Sequence, residues 1–415
     1  METLGTRIKR LRKQKKLTQT ELAKDRLTKG MLSLIENDKA KPSMESLRFI
    51  AQQLNVEVSY LIDDGTLTLL RELYVDIEDD MERRKKIRDP EELQSLTVKM
   101  IEKIEPHLAK IQGTNYEQIR LREVYFLMNR TINNAKSLDE YWKFIDQYEA
   151  IHVYSRMLRC YFYLCAAAIE QRNYAKTLAI LKQGEERIMP YELIIDPIVR
   201  LDLYYNLTIS YSAVDDVKMS NHYLQKALDM AQKKQIFYRM DRFYELLFIQ
   251  SVANEEYEKC KQYIEKLRLL SQFADEPTIT ILYVYNYLHY LNNVELQFDQ
   301  VEPTIEQTKE KLKTSLFLFK NPIFLGEQMY AQYQMHHYEK VIELGVNFVI
   351  PSYLHHPLDL AKYYRYFAVR ALAYFHLQDE VAAKRDIIYA KNGVEDYPET
   401  IYKKFIYEAF HTIFK

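Results

Sequence analysis

The chain has 415 residues, which is long for a single compact core, so more than one structural unit is expected. Its 47% hydrophobic and 28% charged residues are typical of a folded soluble protein, and its 8 Gly and 11 Pro are few enough to favour helices. The formal net charge of −1 hides an asymmetry, because residues 1–66 carry 13 basic against 9 acidic side chains, whereas the rest carries 45 against 50.

Several classes of protein are excluded at this level. The cysteines, Cys160, Cys165 and Cys260, are an odd number without metal-ligand spacing, which predicts buried free thiols in a reducing compartment. The first 16 residues are polar and basic, unlike a secretory signal, and no run of 18 apolar residues could span a bilayer. We therefore expect a cytoplasmic protein without membrane contact.

The first predicted helix carries Leu4, Ile8 and Leu11 at helical spacing and ends near Lys16. Seven of the ten residues from Arg7 to Lys16 are cationic, which suits attraction to a phosphate backbone. A basic solvated helix face is nevertheless the commoner explanation of such a run.

Two more helices are predicted next. Thr18 is a good N-cap, and Glu21 completes a capping box. After a short connection, Thr28 can cap a third helix whose Leu32 and Ile35 face inward. This order predicts a helix-turn-helix, in which the outward residues of the third helix enter the major groove. Those residues are Lys29, Gly30, Met31 and Ser33.

A fourth helix is predicted to begin at Pro42 and Ser43, and a short fifth one lies near 59–62. Three blocks in this order, LTQTELA from Leu17, IEN from Ile35 and KPSMESL from Lys41, resemble the phage-repressor (Xre/Cro) type of helix-turn-helix. The resemblance covers about residues 4–63.

This resemblance implies a division of roles. Thr18 and Gln19 would hydrogen-bond backbone phosphates, which position the domain without reading sequence. Lys29 suits guanine O6 and N7, whereas Gly30 and Leu34 depart from the polar or basic residues usual there, so base readout is expected to be sparse and partly indirect. The full expected DNA-binding set is Thr18, Gln19, Thr28, Lys29, Gly30, Met31, Ser33, Lys39 and Lys41.

A connecting helix is predicted over residues 67–90, and helical repeats are predicted for the segment after it. Tyr174, Tyr257 and Tyr338 each start a helix, and Phe298 and Val381 hold related positions. Steps of about 40 residues imply two antiparallel helices per unit, and the stretch 206–231 resembles the tetratricopeptide signature. We therefore expect three parts: a DNA-binding domain over 1–66, a linker helix over 67–90, and a repeat domain for sensing and oligomerisation over 91–415.

The fusion of these parts resembles the peptide-pheromone-responsive regulators of Gram-positive bacteria (the Rap, Rgg, NprR, PlcR and PrgX superfamily), closest to the NprR type in length and repeat number. The resemblance implies an all-α fold, in which the helix-turn-helix domain precedes a right-handed superhelix of tetratricopeptide-like hairpins. It also implies a transcription regulator that binds a double-stranded DNA operator and a short signalling peptide, as a homodimer or higher oligomer.

In that family, asparagine side chains on the inner helices clamp the peptide backbone, since an amide offers both a donor and acceptors. Asn206 and Asn286 lie about two repeat lengths apart and are the expected clamps, with Glu245 at the position between them. The other expected peptide contacts are Tyr205, Tyr244 and Tyr285 as pocket walls, and Arg122, Asn129 and Arg130 as receivers of a carboxylate. For each residue, packing within a repeat or a solvated helix face is the alternative.

Catalytic motifs are missing from the sequence, which lacks a Gly-rich phosphate loop, HExxH, GxSxG and paired CxxC. Adjacent histidines at 336–337 and 355–356 would diverge on a helix instead of sharing a metal ion. We expect no enzyme, no cofactor and no metal. Two other functions remain open: the repeats could sequester a signalling protein such as a phosphorelay response regulator, or serve only to oligomerise a phage-type repressor.

Overall fold

The computed structural model describes residues 3–62, 66–87, 89–133, 137–312 and 322–415. Within these ranges the chain forms 22 α-helices and no strand, so the all-α prediction is confirmed. The chain divides into two compact units, Met1–Cys160 and Tyr161–Lys415, and helix α10 (Tyr154–Glu170) contains the boundary.

The first unit begins with a five-helix domain that matches the predicted order of elements. A single apolar core holds it together, with Ile8, Leu22, Leu32, Ile50 and Leu61 completely buried. The helices are α1 (Leu4–Gln14), α2 (Gln19–Ala23), α3 (Lys29–Glu36), α4 (Met44–Leu54) and α5 (Val58–Ile62).

The rest of the first unit is built on longer helices. A second core joins them, with Leu70, Ile77, Met100 and Val124 at its centre. The segment predicted as a connecting helix is therefore packed into this unit along one face. The helices are α6 (Thr66–Lys86), α7 (Pro90–Ile104), α8 (Tyr116–Asn133) and α9 (Glu140–Ala150).

The second unit consists of helical hairpins. Helices start at Tyr174, Tyr257 and Tyr338, as the repeat pattern predicts, while Phe298 opens a 3₁₀ turn and Val381 is the second residue of its helix. The helices are α11 (Tyr174–Ile188), α12 (Pro197–Ala213), α13 (Val217–Lys234), α14 (Met240–Ala253), α15 (Tyr257–Ala274), α16 (Pro277–Tyr290), α17 (Val301–Leu312), α18 (Pro322–Gln334), α19 (Tyr338–Gly345), α20 (Pro357–His376), α21 (Glu380–Gly393) and α22 (Ile401–Ile413).

Each hairpin pairs two consecutive helices, such as α12 with α13 and α14 with α15. The first helices of successive hairpins also pack on one another, in the order α14, α16, α18, α20 and α22. This stacking is how helical repeats bury apolar faces that a single hairpin would leave exposed. The predicted buried free thiols are confirmed, since Cys160, Cys165 and Cys260 are all buried and unpaired as disulfides.

Helix α20 is the most enclosed element of the second unit, because every residue from 360 to 373 is buried. Helices α18, α19, α21 and α22 surround it. A helix that is buried on all sides is expected to be apolar all round, yet this one carries Lys362, Arg365 and Arg370. These cations need partners inside the unit.

Glu327 of α18 supplies the centre of that polar interior. Its carboxylate is completely buried and accepts hydrogen bonds from Tyr366 Oη at 2.6 Å, Asn292 Nδ2 at 2.9 Å and His289 Nδ1 at 2.6 Å. Burial lowers the pKa of His289, so the ring is neutral and its Nε2 accepts from the Tyr402 hydroxyl at 2.8 Å. Four helical segments therefore meet at one carboxylate.

Replacing Glu327 with Gln is expected to destabilise the second unit by about 3 kcal/mol, because the buried donors and the nearby cations lose their anion. Urea unfolding read out by hydrogen exchange in peptides from α18 and α20 measures the change. The matched control is Glu343→Gln on α19, where the ion pair with Lys340 (3.0 Å) leaves the carboxylate 70% exposed. The control should cost under about 1 kcal/mol, and equal losses in both variants would contradict the role of Glu327.

Candidate functional sites

The position of α3 is fixed by a buried ion pair in the first domain. Arg12 of α1 donates through Nε to Glu36 Oε1 at 2.6 Å and through Nη2 to Oε2 at 2.9 Å. Gln19, the first residue of α2, donates to Glu36 Oε2 at 2.9 Å, and Arg12 also donates to the carbonyl of Leu17 at 2.8 Å. Burial alone would raise the pKa of Glu36, but these hydrogen bonds and the Arg12 charge hold it below its usual range. Helices α1, α2 and α3 are thus tied to one carboxylate.

The N-termini of α2 and α3 are capped as predicted. Thr18 accepts from the backbone N–H of Glu21 at 3.2 Å, and the Glu21 carboxylate accepts from the Thr18 N–H at 2.6 Å, which is a complete capping box. Thr28 accepts from the N–H of Met31 at 3.1 Å. Both hydroxyls remain exposed, so a cap can also meet a phosphate at the same helix end.

The expected base-reading residues lie on the solvent side of α3. Lys29, Gly30 and Met31 are exposed and Ser33 is half-buried, while Leu32 and Ile35 fill the core. Exposed lysines adjoin this surface in the loop after α3, at Lys39 and Lys41. Gln19 is half-buried and bonded to Glu36, so it braces α3 as well as facing the helix N-terminus.

A second polar site lies in the second unit and is formed by side chains of α12, α14, α16 and α20. We call it the polar cluster and define it as Tyr205, Glu245, Tyr285, Asp359 and Lys362. Burial raises the pKa of Tyr205 to about 12, with a further contribution from the charge of Glu245. Burial likewise raises the pKa of Glu245, although Arg242, which donates to its carboxylate at 3.0 Å, opposes the shift.

Lys362 is the unusual member of the polar cluster. Its side chain is 2% exposed, and its Nζ lies 4.5 Å from the centre of the Tyr285 ring. Among the described residues no carboxylate or carbonyl lies within ion-pair or hydrogen-bond distance of Nζ. Burial lowers the pKa of this lysine, although Asp359, Glu327 and Glu245 oppose the shift.

The two expected asparagine clamps adopt the same local geometry. Asn206 Nδ2 donates to the carbonyl of Asp202 at 2.7 Å, and Asn286 Nδ2 donates to that of Leu282 at 2.8 Å, in each case one turn earlier. Asn206 is half-buried, but Asn286 is completely buried. Its Oδ1 has no hydrogen-bond partner among the described residues.

The remaining expected peptide contacts are not part of the polar cluster. Tyr244 packs near Lys266 of α15, whose Nζ is 5.1 Å from the ring centre. Arg122 belongs to the first unit, where it donates to the carbonyls of Ile111 and Gly113 and to Gln147. In the same unit Asn129 donates to the carbonyl of Tyr125 at 3.0 Å, and Arg130 is half-buried.

Sequence reasoning missed the ion pair of Arg12 with Glu36 and the contribution of α20. In each case the interacting residues are separated in the sequence by more than a few helical turns, so local sequence patterns do not reveal the contacts. One signal was available for α20: Lys362, Arg365 and Arg370 interrupt an otherwise uncharged run from Leu360 to His376. Cations inside such a run indicate a buried polar interior.

Comparison with known proteins supports the helix-turn-helix prediction for the first domain. The helix-turn-helix family matches residues 8–61. The immunity repressor protein of Bacillus phage phi105 is 42% identical over 66 residues, which are 16% of this chain and 46% of the repressor, so the chain spans about half the length of this relative. The first domain is therefore a helix-turn-helix domain.

Three solved structures are similar to this chain, each with a low TM-score. PlcR of Bacillus thuringiensis, in complex with the peptide PapR7 and DNA, has a TM-score of 0.33 and 15% identity, over 66% of this chain and 99% of PlcR. For apo ComR of Streptococcus vestibularis the TM-score is 0.29 and the identity 20%, over 64% of this chain and 90% of ComR. For the SHP pheromone receptor Rgg2 of Streptococcus dysgalactiae the TM-score is 0.26 and the identity 15%, over 68% of this chain and 98% of Rgg2.

In the part of the chain that the structure describes, every helix is too short or too polar to cross a membrane. Across the same residues, no group of three or more His, Cys, Asp or Glu side chains is placed to hold a metal ion.

Replacing Glu36 with Gln is expected to destabilise the helix-turn-helix domain by about 3 kcal/mol at pH 7, because Arg12 is left buried without its anion. The lowered pKa of Glu36 means that this stabilisation is complete above the ordinary value of 4.5 and is lost as the pH falls through the folded-state pKa. The difference between wild type and variant should therefore shrink below about pH 4.5. Hydrogen exchange of peptides from α1 to α3, measured against pH, tests this.

The matched control is Glu45→Gln, which removes the exposed partner of Arg26 (3.1 Å, with 82% of the Glu45 side chain exposed). It should cost under about 1 kcal/mol. A pH-independent difference for Glu36→Gln would show that the carboxylate charge is not what holds α3.

Proposed function

We propose that this chain is a DNA-binding transcription regulator whose repeat unit is controlled by a short signalling peptide. The observation that carries the proposal is the exposed outer face of α3, held rigidly by the Arg12–Glu36 pair and placed beside the exposed lysines 39 and 41. This arrangement suits entry of α3 into the major groove, with flanking cations on the phosphates. The segment shared with an immunity repressor supports a regulatory role.

Peptide control is supported by the interior of the second unit. The polar cluster offers a cation that packs on a tyrosine ring, two tyrosine side chains and a carboxylate of raised pKa, which together suit a peptide backbone and its terminus. The architecture of a helix-turn-helix followed by helical hairpins points to the same ligand class by resemblance.

Because Asn286 is completely buried, it could contact a peptide only after the helices around it moved apart. A ligand shifts such an equilibrium only by its difference in affinity for the two arrangements. In a homodimer, a changed second unit would alter the spacing of two recognition helices, which must stand about 34–36 Å apart to read half-sites on one face of DNA. Peptide binding and DNA affinity are thereby coupled.

Lys29→Ala is expected to weaken binding to the preferred operator by about tenfold or more, since a good base contact is worth about 1–3 kcal/mol. Fluorescence anisotropy with a duplex selected from a random-sequence pool measures this. The matched control, Lys218→Ala, removes an exposed lysine of α13 and should leave affinity unchanged. A Lys29 variant that binds every sequence as tightly as wild type would remove this residue from the readout.

Isothermal titration calorimetry with synthetic peptides, taken from short open reading frames beside the gene, tests peptide control. One peptide should bind wild type, and Glu245→Gln should lower its affinity by about tenfold, because the variant removes a charge from the polar cluster. Glu256→Gln is the matched control, since the Glu256 carboxylate is 41% exposed and pairs with Lys259 at 2.9 Å. Failure of every peptide to bind would refute peptide control while leaving DNA binding untouched.

A further inference from the structure

Two large apolar side chains stand on the outer face of the recognition helix α3. Met31 is 48% exposed and Leu34 is 45% exposed, although Leu32 and Ile35, their neighbours in sequence, are completely or almost completely buried. Neither Met31 nor Leu34 belongs to the apolar core of the domain or packs against it. Their exposure therefore has no explanation in the packing of this domain.

The spacing of the two side chains places them together. Residues three apart on a helix are neighbours on its surface, about 5–6 Å between Cβ atoms. Gly30 has no side chain to cover them. The space around it is open, since a Cβ at that position would meet nothing closer than the Thr28 hydroxyl at 3.9 Å. The outer face of α3 thus carries a small apolar patch.

We propose that Met31 and Leu34 read the C5-methyl groups of thymines in the major groove of the operator. This inference rests on the proposed DNA binding and deepens it, because it names bases that α3 recognises. The thymine methyl is the one apolar group that base edges present in the major groove, and apolar side chains discriminate by covering it. The unbranched, flexible Met31 side chain can adapt to a methyl group that is not ideally placed.

The proposal also explains how a recognition helix with few polar side chains could be selective. Lys29 is the only cation on α3, and Gly30 has no side chain to offer a base. Two thymines close together, at nearby base pairs, match the separation of Met31 and Leu34, whereas a cytosine at either place would leave the side chain without an apolar partner. Selectivity would then depend on methyl groups as much as on hydrogen bonds.

Uracil substitution tests this directly, because uracil pairs like thymine but lacks only the methyl group. A duplex is selected from a random-sequence pool with the full-length protein, and each thymine is then replaced by uracil, singly and together. For wild type, affinity should fall about fourfold at each of two positions and on the order of 15-fold for both. Fluorescence anisotropy at fixed salt gives the affinities.

The side chains are identified by repeating the titrations with Met31→Ala and Leu34→Ala. Each variant should bind the thymine duplex more weakly and lose the uracil effect at one position only. Met44→Ala is the matched control, since Met44 is 54% exposed but lies on α4, and it should keep both effects. Thermal unfolding checks that the variants fold, which is expected for exposed helical positions.

Two results would overturn the inference. Wild type could bind the uracil and thymine duplexes equally, or the uracil effect could persist unchanged in both variants, which would assign it to DNA shape. In either case sequence-selective binding would stand, and only the thymine contacts would fall. If the full-length protein selected no sequence from the pool, the proposed DNA binding itself would fail.

Discussion

Buried carboxylates fix the positions of several helices in this chain. An ionised carboxylate inside a protein is costly unless it collects hydrogen-bond donors, so each one draws the segments that carry those donors to a fixed point. Glu36 collects Arg12 and Gln19, Glu123 collects Arg156, Arg120 and Tyr148, and Glu327 collects His289, Tyr366 and Asn292. The apolar cores surround these points but are non-directional, so the carboxylates supply the specific geometry.

The consequence differs between the two candidate sites. In the first domain, Glu36 is the last residue of α3, so the helix is anchored at its C-terminal end, while its N-terminal turn is exposed and capped by Thr28. A rigid anchor with an open reading face suits a helix that must fit a groove. In the second unit, Glu327 links α18 to α16 and α20, and of the two residues expected to clamp a peptide Asn286 is completely buried.

What the sequence could and could not predict follows from the same distinction. Local signals were sufficient for the caps at Thr18 and Thr28 and for the helix starts at Tyr174 and Tyr257, because each depends on residues within one or two turns. The burial of Asn286 could not be predicted, since it depends on how α16 packs against other helices of the second unit. Periodicity places a residue on a face of its own helix, and it says nothing of what covers that face.

Lys362 shows how such a covered face can still respond to a ligand. Its ammonium group lies against the Tyr285 ring, and burial lowers the pKa of this lysine, so a carboxylate or carbonyl acceptor would stabilise its charged form. Under the proposed function, a peptide that supplies this acceptor gains affinity for whichever arrangement admits it. The hydrogen bonds to Glu327 include one from Tyr366, which is one turn after Lys362 on the same face of α20, and they oppose any displacement of the helix. The free energy gained by an acceptor for Lys362, set against the hydrogen bonds of Glu327, would then determine how strongly a peptide must bind before α20 moves.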